Sequence, residues 1–461
     1  MKLTDLRHDA SFRDPSGFIF TRDGELYRQI NLAYQENYDL LGSSGLYKNL
    51  IDAGLLIPHR EVEIDPPTPD IAFKIIKPEP IPFISYPYEW CFSQLSVAAK
   101  ATLEIHKRAL DHGMILKDAS AYNIQFIGCR PVLIDTLSFD RYEEGRPWVA
   151  YQQFCQHFLA PLALMAYNDI RLSQLLRIHI DGIPLDLAST LLPAKSRLSL
   201  ALSAHIHLHA KSQKKYADTP QKSSGRKINK RGLLGLIDNL ETIVGKLSWK
   251  PADTTWGEYY DDTNYDNQAM KLKMDMVEEL LIETKPATVW DLGGNTGRFS
   301  RLASDNGIST VSFDFDPAAV EKNYRESKSK NENDILPLIL DLTNPSPGLG
   351  WDHSERMSLG KRGPADTVLA LALIHHLAIG NNVPFNKLAA FFQKLCRNLI
   401  IEFVPKEDSQ VQRLLASRED VFTLYTQEDF EKVFTEFFII DRRSDIEGSK
   451  RTIYLMRNRR Q

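Results

Sequence analysis

No stretch of the 461 residues approaches the ~20 consecutive apolar residues that a bilayer-spanning helix requires, so no membrane span is expected. The opening run, MKLTDLRHDASFRD, lacks the apolar core of a secretory signal. Cysteine is scarce: Cys91, Cys129, Cys155 and Cys396 are scattered, with no CxxC pair. That spacing argues against a disulfide framework and a structural zinc, and it suits a reducing compartment. Together these absences lead us to expect a cytoplasmic protein. An excess of positive charge is missing too. The net charge of −4 gives no general attraction to nucleic acid or membranes, so such contacts would need a local patch. No internal repeat is visible. What is present is an ordinary globular composition, 43% hydrophobic and 25% charged. Single cores rarely grow past ~250–300 residues, so a chain of this length holds two to three domains.

The sharpest change of composition is at 211–231, KSQKKYADTPQKSSGRKINKR, which is basic and almost free of apolar residues. Such a run cannot bury enough surface to offset its ordering entropy and reads as a linker. Its charge is either that of a solvated spacer or an attraction for RNA or a phosphorylated partner. We therefore expect an α+β accessory domain over 1–210, a basic flexible linker over 211–231 and an α/β domain over 232–461.

After the linker, apolar strands and helices alternate. Strands are expected at Thr288–Leu292, Thr310–Asp314, Leu336–Asp341, Thr367–Leu373 and Leu399–Val404. Helices are expected up to Val277–Leu281, from about Arg298, from Pro317 and over about Phe385–Leu395. This alternation implies a parallel sheet covered on both faces. Asp316 before Pro317 supplies an N-cap followed by proline at the first helical position. Two last strand-like runs, Glu436–Arg442 and Thr452–Arg457, flank the turn-rich SDIEGSK and should pair antiparallel.

The segment VWDLGGNTGRF carries the strongest chemical signal. A strand ends in Asp291, and the turn Gly293-Gly294-Asn295-Thr296-Gly297 leads into a helix. Such a turn bends sharply and lets a ligand approach the backbone. Asn295 stands where glycine is commoner, but asparagine tolerates left-handed backbone. The next strand ends in Asp314, about 20 residues on, where an acid can accept hydrogen bonds from ribose hydroxyls. A carboxylate at Asp291 would repel a pyrophosphate but suits an ammonium group. Asp291 and Asp314 can also be read as ordinary strand-end turn residues.

From about Trp256 onward these features resemble the class I S-adenosylmethionine-dependent methyltransferases. The resemblance implies a doubly wound Rossmann-like sheet with an antiparallel last strand, and S-adenosylmethionine as cofactor. It implies cofactor contacts from Asp291, Gly293, Gly294, Asn295 and Gly297, ribose binding by Asp314 with Phe315 beside it, and adenine contact at Asp341 and Leu342. Trp256, Tyr259, Tyr260 and Tyr265 are read either as an aromatic lid over the cofactor or as packing residues.

Methyl transfer asks the protein to align the nucleophile and, where needed, to remove its proton. The candidates at strand tips are His375 and His376, in ALIHHLA, and Glu402, in LIIEFVPKED. An imidazole with a near-neutral pKa suits deprotonation of a hydroxyl or amine. The alternative is that one histidine packs against the sheet and the other is a polar loop residue. Glu402 and the two histidines lack the local spacing of the RNA-end methyltransferases that bind a metal, and no metal is expected.

In the first half, one passage stands out: LEIHKRALDHGMILKDASAYNIQFIGCRPVLIDTLSF. Asp118, then Asn123, then an apolar run ending in Asp135 is similar to the catalytic and metal-binding loops of protein-kinase-like and aminoglycoside-phosphotransferase-like proteins. The likeness implies Asp118 as proton acceptor and Asn123 and Asp135 as magnesium ligands. It also places Arg28, in the expected hairpin GFIFTRDGELYRQI, where kinases carry lysine, with Glu36 or a later residue as its partner. The chain departs from that pattern: no glycine-rich loop precedes Arg28, Lys117 replaces histidine, and TLSF follows Asp135. Three readings stay open: a degenerate kinase-like platform, an active phosphotransferase, or an unrelated domain in which Asp118 and Asn123 are turn residues.

The whole chain also resembles a group of bacterial two-part methyltransferases, some connected with nodulation, through DPSGFIF, SGLY, LKDASAYNIQF, ALIHHL and IIEFVPK. The expected function is methyl transfer to an oxygen or nitrogen of a small molecule, saccharide or cell-envelope precursor. The alternatives are an RNA methyltransferase using 211–231, and a kinase-like phosphotransferase or non-catalytic binding protein.

Overall fold

The computed structural model describes residues 6–208, 227–251, 267–416 and 419–460. Most of the 211–231 run and the aromatic quartet Trp256, Tyr259, Tyr260 and Tyr265 lie outside the described residues. The chain divides into two units, one of Met1–Lys250 with Gly348–Arg356, the other of Pro251–Pro347 with Met357–Gln461. This places the boundary later than the sequence suggested. The helix Lys230–Lys246 packs on the long helix Phe92–Asp111 of the first unit, through a stripe of Leu233, Ile237, Leu240 and Val244. Lys107 pairs with Asp238 and Glu241 beside that contact.

In the first unit, five strands pair antiparallel: β1 (Leu6–Arg7), β2 (Gly17–Arg22), β3 (Glu25–Asn31), β4 (His59–Val62) and β5 (Ala72–Pro78). Their order is β1-β2-β3-β5-β4. The expected hairpin is present as β2 and β3, closed by Asp23 and Gly24, both at positive φ. Helices Gln35–Ser43 and Leu46–Asp52 lie in the chain between β3 and β4. After the helix Phe92–Asp111 come β6 (Met114–Leu116), β7 (Ile124–Ile127), β8 (Arg130–Leu133) and β9 (Phe139–Arg141). β6 pairs with β9, and β7 with β8.

The second unit is built on seven strands: β10 (Thr288–Leu292), β11 (Ser309–Asp314), β12 (Ile335–Ile339), β13 (Ala365–Ala370), β14 (Cys396–Phe403), β15 (Phe438–Asp445) and β16 (Thr452–Asn458). Their order is β12-β11-β10-β13-β14-β16-β15. β16 alone runs against its neighbours, antiparallel to both β14 and β15. The fold is the doubly wound, Rossmann-like methyltransferase sheet with one reversed strand, read directly from this order. β12 ends at Ile339, which puts Leu340 and Asp341 in the loop beyond it. β15 runs to Asp445, with a bulge between Ile440 and Arg442.

The parallel strands are buried on both faces because helices cover them. Val277, Leu280 and Leu281 of the helix Asn267–Thr284 close over Val289, Leu369, Ile400 and Leu455. Each such side chain contributes about 1.5–3 kcal/mol on burial. The helix Pro317–Lys330 starts as the sequence dictates, with the Asp316 carboxylate accepting the Ala318 N–H at 2.8 Å. The winding of the sheet reverses at β10: the chain goes out to β11 and β12 on one side and returns to β13 and β14 on the other, all parallel. In open α/β sheets a ligand crevice forms at such a switch point, beyond the carboxyl ends of the strands.

Candidate cofactor and acceptor site

A cavity of roughly 440 Å³ opens at that switch point, within the second unit. Its walls include Asp291, Gly293, Gly294 and Asn295 from the turn after β10, and Asp314 and Phe315 from the end of β11. Leu340, Asp341 and Leu342 come from the loop after β12, and Ala372, Leu373 and His376 from the loop after β13. The structure therefore brings eight of the nine expected cofactor residues to one cavity. Gly297 is the exception. It caps the helix Arg298–Ser304 in left-handed backbone, packed against Asn323.

The turn is docked by the backbone: the N–H groups of Gly293 and Gly294 both donate to the carbonyl of Phe313 at 2.9 Å. Gly293 has φ +80°, and Asn295 takes the left-handed conformation with φ +50°. Gly294 is required for space. A Cβ there would lie 2.5 Å from Ser312 Oγ and 2.9 Å from Asp291 Oδ2.

Both acids are buried and held. Asp291 accepts the Ser300 hydroxyl at 2.6 Å. Asp314 accepts the N–H of Asn295 at 2.9 Å and of Asp316 at 2.8 Å. Burial lifts each carboxyl to about 6, since desolvation outweighs these hydrogen bonds. Two buried carboxyls raised to about 6, facing a cavity, suit a ligand that brings hydroxyls and an ammonium. Phe315 is 54% exposed on the same rim, an aromatic face presented to a planar ring.

The three candidate proton acceptors part company. His376 lines the cavity, and burial lowers its pKa to about 4. His375 is fully buried, its ring centroid 4.1 Å from that of His376, and it does not reach the cavity wall. Burial, with the nearby charge of Arg451 and Lys273, holds it neutral. Glu402 is also absent from the wall and is fully engaged. Its Oε2 accepts Lys273 Nζ at 2.6 Å and the N–H of Ala372 at 2.6 Å, and its Oε1 faces Arg451 Nη1 at 3.4 Å. All three contacts tie Glu402 to the protein itself. It grips Ala372 in left-handed backbone with φ +49°, where the loop carrying His376 leaves the sheet. The trio of Glu402 with two histidines does not converge as metal ligands, and the described residues hold no such group of three or more.

Sequence reasoning missed Lys273, Arg451 and Asp408. Arg451 is buried in the hairpin turn and makes a two-pronged pair with Asp408, at 2.7 and 3.1 Å, while also lining the cavity. Lys273 had a signal. With Met270, Met274, Val277 and Leu281 it falls on the apolar stripe of its helix, where a lysine is out of place.

Comparison with known proteins decides the family. Nodulation protein NoeA of Rhizobium meliloti (strain 1021) is 36% identical over 462 residues, spanning 96% of this chain and 94% of NoeA. The chain belongs to the NoeA family. No protein-family model matches it. Among solved structures, magnesium protoporphyrin IX methyltransferase (ChlM) from Synechocystis PCC 6803 with bound SAH matches 44% of this chain and 92% of its own, at 18% identity and TM-score 0.32. The bifunctional kinase-methyltransferase WbdD matches 44% of this chain and 42% of its own, at 16% identity and TM-score 0.30. At these scores the fold of the NoeA-family chain rests on its strand order and reversed β16, not on superposition. Among the described residues no helix is long and apolar enough to cross a membrane.

Proposed function

We propose that this NoeA-family chain is an S-adenosylmethionine-dependent methyltransferase acting on an oxygen or nitrogen of a small molecule, saccharide or cell-envelope precursor. One observation carries the reading: a single cavity at the switch point gathers Asp291, the Gly293–Asn295 turn, Asp314, Phe315 and Asp341. The cofactor, when bound, supplies a methyl group already activated on a sulfonium. Asp314 accepts from the ribose hydroxyls, Asp291 faces the ammonium, and Asp341 and Leu342 border the adenine beside Phe315. The acceptor lies against His376, Leu377 and Asn381. His376 is neutral at pH 7 and accepts the hydrogen bond of the acceptor's hydroxyl or amine on a ring nitrogen, orienting it; its pKa of about 4 lies below the near-neutral value expected of a general base. Excluding water and aligning the acceptor supply the rest of the catalysis. The test is transfer of labelled methyl from S-adenosylmethionine to fractionated small-molecule and envelope extracts. Label that enters a fraction with the wild-type chain but not with an Asp314→Ala variant supports the reading. No transfer to any fraction, from a chain that binds no cofactor, defeats it.

A second reading concerns the first unit alone. Asp118, Asn123 and Asp135 follow β6 and β8 as the kinase likeness implies. Arg28, however, pairs with Asp135 at 2.5 Å rather than with Glu36. The guanidinium takes one oxygen of Asp135 and the Ser138 hydroxyl the other, and together they hold the carboxyl below its ordinary value despite burial. This favours a degenerate kinase-like platform over an active phosphotransferase. Mg·ATP should leave the melting of the wild-type chain unchanged, and a clear upward shift would restore the phosphotransferase reading.

A further inference from the structure

Leu198 and Leu200 are 86% and 88% exposed, more than any other large apolar side chain among the described residues. They flank Ser199, where the turn Ala194–Leu198 meets the short helix Leu200–Leu202 in the first unit. Ser199 is extended, with φ −79° and ψ 108°, so the side chains on either side of it leave the same face of the corner. The corner is held from beneath. Ser199 Oγ accepts the N–H of Leu202 at 3.3 Å, and the buried Ser196 hydroxyl donates to the carbonyl of Pro193 at 2.7 Å and lies 3.0 Å from His207 Nε2. From this stretch the core takes Leu192, Leu202 and Ile206, and it leaves Leu198 and Leu200 in water.

A single exposed leucine needs no explanation. What sets this pair apart is the charge around it. Lys195 and Arg197 are exposed beside the leucines, and among the described residues neither forms an ion pair; Lys195 lies over the Tyr167 ring, 5.7 Å from its centroid. The sequence holds no Asp or Glu from Leu187 to Ala217, in a chain whose net charge is −4. The apolar area of two leucines, a few hundred Å² at most, falls short of the ~800 Å² per partner that a stable protein interface buries, which disfavours a second copy of this chain. The run 211–231 is basic and almost free of apolar residues, so it complements neither feature. RNA would engage the cations and leave the leucines in water. An anionic bilayer matches both, with acyl chains for the leucines and phosphates for the cations.

We propose that this corner seats the chain on an anionic membrane surface, Leu198 and Leu200 entering the boundary between headgroups and acyl chains while Lys195 and Arg197 face lipid phosphates. Such attachment is peripheral and needs no spanning helix. It concerns the first unit alone and does not depend on the methyltransferase reading.

The test is cosedimentation of the full chain with vesicles of phosphatidylcholine, alone or mixed with phosphatidylglycerol, at low and high salt. The wild-type chain should bind the mixed vesicles in preference to the neutral ones, and salt should weaken that binding. Leu198→Ser combined with Leu200→Ser should weaken partitioning about ten- to a hundredfold, the contribution of two leucines inserted part-way. Both side chains are exposed, so this variant should melt as the wild type does. Lys195→Gln combined with Arg197→Gln is the independent perturbation, and it should lower both the affinity and its dependence on salt. No binding to the mixed vesicles, equal binding to both kinds, or binding that either double variant retains undiminished overturns the proposal. Self-association or RNA binding by a chain that ignores vesicles would assign the corner to that partner instead.

Discussion

Replacing Asp314 with alanine separates cofactor recognition from folding. In the free protein its oxygens accept two buried backbone donors, Asn295 and Asp316. Losing the side chain leaves both unpaired, at about 1–3 kcal/mol each. Against this, at pH 7 the native state holds an ionised carboxyl whose value is lifted from 3.8 to about 6. At ~1.4 kcal/mol per pKa unit, that lift opposes folding by roughly 3 kcal/mol. The two effects largely offset, and the urea-unfolding free energy should change by no more than about 3 kcal/mol. Binding has no such compensation. The ribose hydroxyls lose a charged acceptor worth about 1.5–3 kcal/mol, so S-adenosylhomocysteine should bind roughly 10- to 150-fold more weakly by calorimetry. A folded variant whose affinity stays within twofold of wild type would refute the assignment of Asp314.

Asp291 and Asp314 are both lifted to about 6, so between pH 4 and 6 the folded state holds more protons than the unfolded one. Stability of the free chain should therefore fall as pH rises through that window and level off above it, while affinity for S-adenosylhomocysteine should climb from pH 5 to about 7. Affinity that does not vary over that range would contradict the role of these acids. Gly294→Ala forces a methyl into contact with Ser312 and Asp291, and should cost about 1–3 kcal/mol in denaturant titration and abolish cofactor binding; a neutral effect would mean that the turn has room to spare. His376→Ala should keep S-adenosylhomocysteine affinity within about threefold and lose labelled methyl transfer. His375→Leu, which replaces a buried ring having no hydrogen-bond partner among the described residues, should melt no lower than wild type and keep transfer. The opposite pattern would exchange the roles of the two histidines.

Much of the second unit was legible because its signals are local. Strand length and the strand–helix alternation marked the parallel sheet, Asp316-Pro317 marked a helix start, and GGNTG marked the switch-point turn. The residues that line the cavity followed because they sit at fixed offsets from strand ends. What escaped depends on partners remote in sequence. Glu402 reads as a base at a strand tip until Lys273, 129 residues earlier in the chain, is seen to hold it. Arg451 hides in a turn-rich segment whose composition says only that the chain bends. The helix Lys230–Lys246 was placed with the second unit because the basic run before it marked the boundary, and composition does not reveal what its apolar stripe packs on. In the first unit the spacing of Asp118, Asn123 and Asp135 was visible, but the pairing of Arg28 with Asp135 required the sheet and the loop to be brought together in space.

The most direct test of the central claim is calorimetric titration of the full chain with S-adenosylhomocysteine, with Mg·ATP titrated separately. We predict saturable binding of one S-adenosylhomocysteine per chain, strongly weakened by Asp314→Ala, and no heat of binding with Mg·ATP. Binding of Mg·ATP without any binding of S-adenosylhomocysteine would contradict the account.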